Sequence, residues 1–359
     1  MGGGPAGLAA AIAVTKHGLR AVVADSGEPP IDKACGEGLL PDSVEALARL
    51  GVQLSPNEGF AIRGIRFLHQ GVCPRACFPP GRAGVGVRRT VLHDRLVAHA
   101  AACGVSLRWR TRVIAKEEGI FVDGDRIRAR WIIGADGANS LVQRWSGLEC
   151  RSRSRTRFGY RRHYRTAPWT DFVEVYWGPG TQAYVTPVGT IEVCVAVVSH
   201  DRRIRLNDAL RTFPTLAARL RGAEPTSTER GGITRMLKLP HVCCRNVALI
   251  GDASGCVDAI TGEGLGLAFQ QALILADAIA GNDLCRYDTG HRRIVQRAFL
   301  MAEALLLLDA WPVLRQPVME VFHRRPRLFG HCIAAHLGAL TEAELIATTA
   351  KVGWHLLIS

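Results

Sequence analysis

Three short stretches of this chain combine glycines and acids at spacings that can hold a dinucleotide. Gly2, Gly4 and Gly7 spell G-x-G-x-x-G, with Pro5 and Ala6 completing the loop. Glycines there let the backbone approach a pyrophosphate, and the following helix aims its free N–H groups at it. Asp25, followed by Ser26, stands 18 residues beyond Gly7, where an acid accepts hydrogen bonds from ribose hydroxyls. The second stretch, WIIGADGANSLVQRW, ends an apolar run in Gly134-Ala135-Asp136-Gly137. The third, NVALIGDASGCVDAITGEGLGLAFQQA, ends another in Gly251-Asp252. Asp252 is placed to accept from a second sugar-like chain, and Gly262-Glu263-Gly264 opens a helix whose N–H groups could approach an electron-rich group. Each stretch alone fits an ordinary strand–turn–helix. The three in this order do not.

The elements that would position these residues read as α/β. LAAAIAVTKHG is a helix closed by Gly18, and LRAVVAD a short buried strand. LPDSVEALARLG reads as a helix with Asp42 as N-cap, Glu45 at the capping-box position and Gly51 at its end. TVLHDRLVAHAAACG is a helix closed by Gly104, and residues 105–134 read as strands. From about 157 to 240, consecutive strand-like runs predict an antiparallel sheet, interrupted by one helix over LNDALRTFPTLAARLRG. The last 70 or so residues read as helices broken at Pro312, Pro317 and Pro326. The expected units are a Rossmann-like dinucleotide-binding domain in two parts (1–155, with an insertion near 60–87, and 241–285), a substrate domain (156–240) and a helical region (286–359).

The 359 residues suffice for one large or two medium domains. Hydrophobic residues make up 48% and the net charge is +13. The densest basic run, RSRSRTRFGYRRHYR (151–165), alternates like a strand and predicts a solvated basic face rather than a nucleic-acid site. No apolar stretch reaches the roughly 20 residues of a spanning helix, and no basic-then-apolar leader opens the chain. The cytoplasm is the default location, with a peripheral membrane contact through the apolar C-terminal helices left open. The 11 cysteines are odd in number and scattered, which predicts no metal site and mostly small buried side chains. Nothing in the sequence sets the oligomeric state.

The motifs together resemble the flavoprotein superfamily of para-hydroxybenzoate hydroxylase and geranylgeranyl reductase, over roughly residues 1–285. GGGPAG resembles its FAD fingerprint, GADGANS its D-G motif and LIGDASG its G-D motif. VRRTVLHDRL resembles R-x-x-L-D-x-x-L, and DKACGEGLLP (32–41) looks closest to the reductase branch. The resemblance implies that Gly2, Gly4 and Gly7 hold the FAD pyrophosphate and Asp25 its ribose. It places Arg89 near the pyrophosphate or ribityl chain, Asp136 in the D-G motif and Asp252 on the ribityl chain. Gly262, Glu263 and Gly264 would lie beside the isoalloxazine. Cys35, Gly36 and Glu37 would lie near the flavin and substrate cavity, and Tyr184 and Pro187 would face the ring. NAD(P)H would be a transient reductant.

Four features depart from that pattern. His93 replaces an Asp, Gln143 an Arg, and Ala259 a Pro that shapes the flavin's reactive edge. The fingerprint also lacks the strand that normally precedes it, since only Met1 stands before Gly2. The expectation is a native protein with roughly 6–10 further residues forming that strand, its absence costing more than the ~5–15 kcal/mol that holds a domain together.

Three functions follow. The first is a monooxygenase hydroxylating an aromatic or polyketide-like molecule with NAD(P)H and oxygen. The second, favoured by CGEG, is a reductase saturating double bonds in an isoprenoid or lipid. The third is a truncated chain that binds FAD poorly. YVTP at 184–187, in place of a more aromatic reductase motif, leans toward the first.

Overall fold

The computed structural model describes residues 1–116, 119–150 and 156–340, together with Glu344, Thr348 and Lys351. Its helices are α1 (Pro5–Thr15), α2 (Pro41–Arg49), α3 (Arg89–Ala102), α4 (Leu141–Trp145), α5 (Leu206–Arg211), α6 (Pro214–Arg219), α7 (Gly264–Ala280), α8 (Leu284–Ala310), α9 (Pro312–Arg324) and α10 (Pro326–His336). α1 is apolar all round because it is enclosed: every residue from Leu8 to Val14 is buried, with α3 and α7 packed against it.

A parallel sheet carries the glycine and acid motifs at the ends of its strands. Val22–Ala24 pairs parallel with Ser106–Arg108, and Ile132–Gly134 pairs parallel with Val247–Leu249. Among the described residues no strand joins the two halves. Met1 and Gly2 alone bridge them. The Met1 amino group donates to the Ile133 carbonyl (2.8 Å), Ala135 N–H to the Met1 carbonyl (2.8 Å) and Gly2 N–H to the Ala24 carbonyl (2.9 Å). Behind them lies a groove of about 650 Å³, walled by Val22, Val23, Ile132 and Ile133 on its two strand sides. The mixed α/β fold, with a parallel sheet, an antiparallel sheet and C-terminal helices, is as expected.

A larger, mostly antiparallel sheet runs in the order Glu224–Pro225, Thr156–Arg165, Glu192–Ser199, Thr181–Gly189, Phe172–Gly178, Gly64–Leu68, Arg75–Cys77. Gly64–Leu68 lies parallel to Phe172–Gly178, so the segment near 60–87 joins this sheet. One face packs Tyr160, Tyr176, Val185, Val195 and Val197 against α5 and α6. The other packs Phe67, Val175 and Trp177 against the C-terminal helices through Leu306, Met319, Phe322 and Phe329.

Several local expectations are corrected. The N-cap of α2 is Leu40, and Pro41 takes the first helical position. Asp42 instead accepts from the Gln270 amide (2.9 Å), and Glu45 pairs with Arg82. Pro214 splits the expected single helix into α5 and α6 because it can start a helix but not continue one. Pro312 and Pro326 likewise begin helices, whereas Pro317 sits inside α9 without breaking it. Cys194 and Cys256 are buried, but Cys77, Cys244 and Cys285 are exposed. The basic face of Thr156–Arg165 is not solvated: Arg157 and Arg161 are buried, since their alternation turns them toward acids on other elements. Residues 151–155 of that basic run lie outside the described residues.

Candidate active site

The glycine loop is fitted to a ligand by where side chains could and could not go. A Cβ on Gly7 would meet the Gly2 carbonyl at 1.9 Å, and one on Gly3 the Trp109 ring at 2.2 Å. These positions pack protein against protein. A Cβ on Gly4 would meet nothing within 4 Å, and the same holds at Gly36, Gly262 and Gly264. Gly4 stands at the N-cap of α1, Gly36 in the 35–38 segment, and Gly262 and Gly264 at the start of α7. These glycines therefore leave space that no packing demands.

The acids are held around that space. Asp25 closes its strand with one carboxylate oxygen on Gly3 N–H (2.6 Å) and the other on Gly27 N–H (2.7 Å), which ties the loop to the acid. Ser26 beside it is exposed. His93 explains its departure from the family pattern: its Nε2 donates to the Gly3 carbonyl (2.9 Å), and burial lowers its pKa so that the ring stays neutral. Gln143 is buried and donates to the Ala253 carbonyl (3.2 Å), bracing the G-D turn. That turn also abuts the loop, because Gly251, at φ +61°, brings its α-carbon against Ala6, where a Cβ would come within 2.8 Å.

The Asp252 side chain is exposed to solvent, yet protein surrounds it at longer range. That partial desolvation raises its pKa, while Arg89 and then Lys33 oppose the rise. Arg89 opens α3, and its buried Nε has no hydrogen-bond partner among the described residues. Lys33 reaches over the D-G turn, 3.7 Å from where a Gly137 Cβ would stand. Asp136 itself turns the other way, accepting from Leu141 N–H (2.7 Å) and Val142 N–H (3.2 Å) at the start of α4. The open glycines, two cations and the orphaned guanidinium N–H fit an anionic dinucleotide such as FAD.

The 35–38 segment is fastened beneath the large sheet. Glu37 is buried and holds φ +60°, a conformation that costs a non-glycine residue energy and needs support. Its backbone carbonyl accepts from Val87 N–H (2.9 Å), and its Oε1 from Arg89 N–H (3.0 Å). His163 Nε2 donates to Glu37 Oε2 at 2.6 Å. His163 Nδ1 lies 2.7 Å from the Ser227 hydroxyl and within 3.3 Å of Arg88 and Arg161. A guanidinium can only donate, so Nδ1 accepts and Nε2 carries the proton toward Glu37. Cys194 completes a buried trio with Glu37 and His163, but two adjacent guanidinium groups make the spot unsuited to a cation. The Cys35 thiol accepts from Glu37 N–H (3.4 Å) and its carbonyl from the Cys194 thiol (3.7 Å).

At the other rim, a 3-10 turn over Ala259–Thr261 precedes Gly262-Glu263-Gly264. Asp258 caps it by accepting from Ile260 N–H (2.9 Å), and Arg157 locks Asp258 in a fully buried ion pair at 2.9 Å. This pair shapes the turn in the place where the resemblance leads one to expect a proline. The Tyr184 hydroxyl reaches the Ile260 carbonyl at 3.5 Å, and burial raises its pKa. Pro187, on the same strand, packs its carbonyl against Gly86 instead. Glu263 is buried, and desolvation, with Asp42 nearby, pushes its pKa up to about 8 against the pull of Arg297. His336 Nε2 lies 3.6 Å from Glu263 Oε1, with its pKa lowered to about 4 by burial. At neutral pH an uncharged acid and an uncharged imidazole thus face each other beside the open glycines.

Sequence reasoning missed Asp32, Lys33, Arg157, Arg161, His163, Asp258 and His336. The four-residue spacing of Arg157 and Arg161 on a strand, which puts both on one face, was the available signal.

Known proteins share this chain's sequence pattern and its fold. The profile of the FAD binding domain family matches residues 1–282. A menaquinone reductase of Mycolicibacterium smegmatis is 28% identical over 96% of this chain and 92% of its own. Digeranylgeranylglycerophospholipid reductase 2 of Methanosphaera stadtmanae is 24% identical over 79% of this chain and 78% of its own. A rifampicin monooxygenase of Streptomyces venezuelae is 27% identical over 41% of this chain and 33% of its own. Among solved structures, a variant of the flavin-dependent brominase Bmp2 superposes with TM-score 0.81 at 18% identity, covering 98% of this chain and 97% of that one. A geranylgeranyl bacteriochlorophyll reductase-like protein from Thermoplasma acidophilum gives 0.72 at 19%, covering 99% and 97%. The open glycines and the family match over most of the chain lead to one conclusion: this chain is a member of the FAD binding domain family and an FAD-dependent oxidoreductase.

Proposed function

We propose that the enzyme reduces a double bond in the isoprenoid chain of a lipid, with NAD(P)H as the transient electron source. The observation that carries this reading is the extent of likeness. The relatives named for menaquinone and for digeranylgeranylglycerophospholipid match 79–96% of the chain, whereas the rifampicin monooxygenase matches 41%.

Bound FAD would supply the hydride. The loop of Gly2, Gly4 and Gly7 with α1 would take its pyrophosphate, Asp25 a ribose, and Asp252 with Arg89 and Lys33 the polar chain between. Glu37, held by His163 and Arg89 N–H, fixes the 35–38 segment so that Cys35 keeps one position. Glu263 keeps a proton on its carboxyl at neutral pH, so it adds no negative charge to that rim. Asp258 and Arg157 hold the turn that presents it. Saturation needs a proton as well as a hydride, and a neutral buried acid suits such a site.

The second reading, hydroxylation with oxygen, is favoured by the Tyr184–Pro187 run, which lacks further aromatics. Anaerobic incubation of the FAD-loaded protein with NADPH and a menaquinone separates the two. A product still heavier by two hydrogens, in its isoprenoid chain, after the quinol is reoxidised in air supports reduction. A product that needs oxygen and gains one oxygen atom supports hydroxylation.

A further inference from the structure

We infer that the corner between α8 and α9 docks on an anionic lipid bilayer. Leu300, Leu307, Trp311, Val313 and Leu314 are 59%, 50%, 59%, 81% and 42% exposed, while the remaining exposed large apolar residues are scattered singly through the fold. Leu300, Leu307 and Trp311 follow the i, i+7, i+11 spacing of one helix stripe, and Glu303 is the charge upon it. The opposite stripe of α8 buries Val295, Ala298, Phe299, Ala302 and Leu306, so the exposed stripe is not needed for packing. Pro312 begins α9 directly after Trp311 and turns the chain, which makes Val313 and Leu314 project from the corner.

The corner is rigid. Buried Arg315 donates to the carbonyls of Leu308 (2.9 Å), Asp309 (2.7 Å) and Gly178 (3.1 Å), stitching both helices to the sheet. It is also flanked by positive charge. His200 Nε2 pairs with Asp309 Oδ2 at 2.9 Å, which brings the 200–203 turn beside the end of α8. Arg202 and Arg203 on that turn are exposed, and Asp201 caps Arg203 N–H (2.8 Å). A projecting apolar tip with a tryptophan and an arginine flank, on a chain of net charge +13, suits insertion at the headgroup boundary of an acidic membrane. A second protein chain fits less well, because a stable protein interface takes roughly 20–30 residues a side and this tip is small. Among the described residues no helix is long and apolar enough to cross a membrane, so the contact is peripheral.

Vesicle flotation tests this without any turnover, so its outcome is independent of the proposed reaction. The FAD-loaded protein should float with phosphatidylglycerol-containing vesicles and less with pure phosphatidylcholine, and high salt should reduce the difference. Val313→Ser with Leu314→Ser should weaken binding at least tenfold, at unchanged circular dichroism and flavin absorbance. Arg202→Gln with Arg203→Gln should remove the preference for the anionic lipid. The inference is overturned if the protein stays unbound on both vesicles, or if the serine variant floats like the parent. It is equally overturned if the protein sediments as a dimer that the serine variant converts to monomer, which would make the corner a subunit contact.

Discussion

Replacing Glu263 by Gln keeps the shape of a buried side chain and removes its ability to ionise. The carboxyl has its pKa raised from 4.5 to about 8, chiefly by burial. At about 1.36 kcal/mol per unit, the shift of about 3.5 units corresponds to about 5 kcal/mol as an upper bound. The sign follows from the raised folded value. Below pH 4.5 the acid is protonated in both states and costs nothing. As pH rises toward 8, the unfolded chain releases its proton freely while the folded chain retains it, so stability falls. The decline ends near pH 8, where the folded protein also ionises. His291 and His336, whose folded values are lowered to about 4, contribute the opposite slope between about pH 4 and 6.5. The parent-minus-variant difference cancels His291, and reading it above pH 6.5 sets aside His336, which lies 3.6 Å from Glu263. Urea unfolding of the flavin-free protein at pH 5, 6, 7, 8 and 9 should show the parent losing several kcal/mol relative to Glu263→Gln, with the steepest loss near one proton per molecule. A difference that stays flat from pH 5 to 9 would show Glu263 ionising like a surface acid, and the argument for a neutral carboxyl would fail.

Three more outcomes follow from the same structure. Asp258→Ala leaves buried Arg157 with only the more distant Asp309 carboxylate (3.9 Å) and Gln182, so chemical denaturation should report a loss of about 3 kcal/mol, the low end for a broken buried pair. Gly4→Val places atoms where the flavin-free protein has open space; circular dichroism should match the parent while FAD affinity in titration calorimetry drops at least tenfold. A chain carrying about five β-branched residues ahead of Met1 should fill the groove between Val22–Ala24 and Ile132–Gly134 and pair with both strands. Its melting temperature should rise by at least about 4 °C, because 1 kcal/mol shifts a domain of this size by ~2–4 °C; an unchanged value would mean the groove does not accept a strand.

The glycine motifs were legible because backbone geometry demands glycine wherever chains approach closely, and that demand is local. Gly7 against Gly2 is a contact the loop spacing already implies. The parallel strands and α1, α3 and α7 could be read from apolar runs for the same reason. What could not be read depends on partners distant in sequence. Arg157 looked like a solvated cation until Asp258, 101 residues away, was placed beside it. Glu37 was singled out through the resemblance, but its partner His163 lies 126 residues off and carries no motif. Pro317 misled because proline disfavours helix interiors by local rule, while packing of Val318, Met319 and Phe322 holds α9 through it. Asp136 shows the converse: a recognisable motif residue whose carboxylate is spent on capping α4.

The central claim is reduction of an isoprenoid double bond by FAD-bound enzyme, and single-turnover mixing tests it most directly. The FAD-loaded protein is reduced by dithionite without oxygen, then mixed with a menaquinone, and flavin absorbance and product mass are followed together. The account predicts reoxidation of the flavin in the absence of oxygen, with a product heavier by two hydrogens in the isoprenoid chain. Reoxidation that occurs only when oxygen is admitted, with a hydroxylated product, would contradict it.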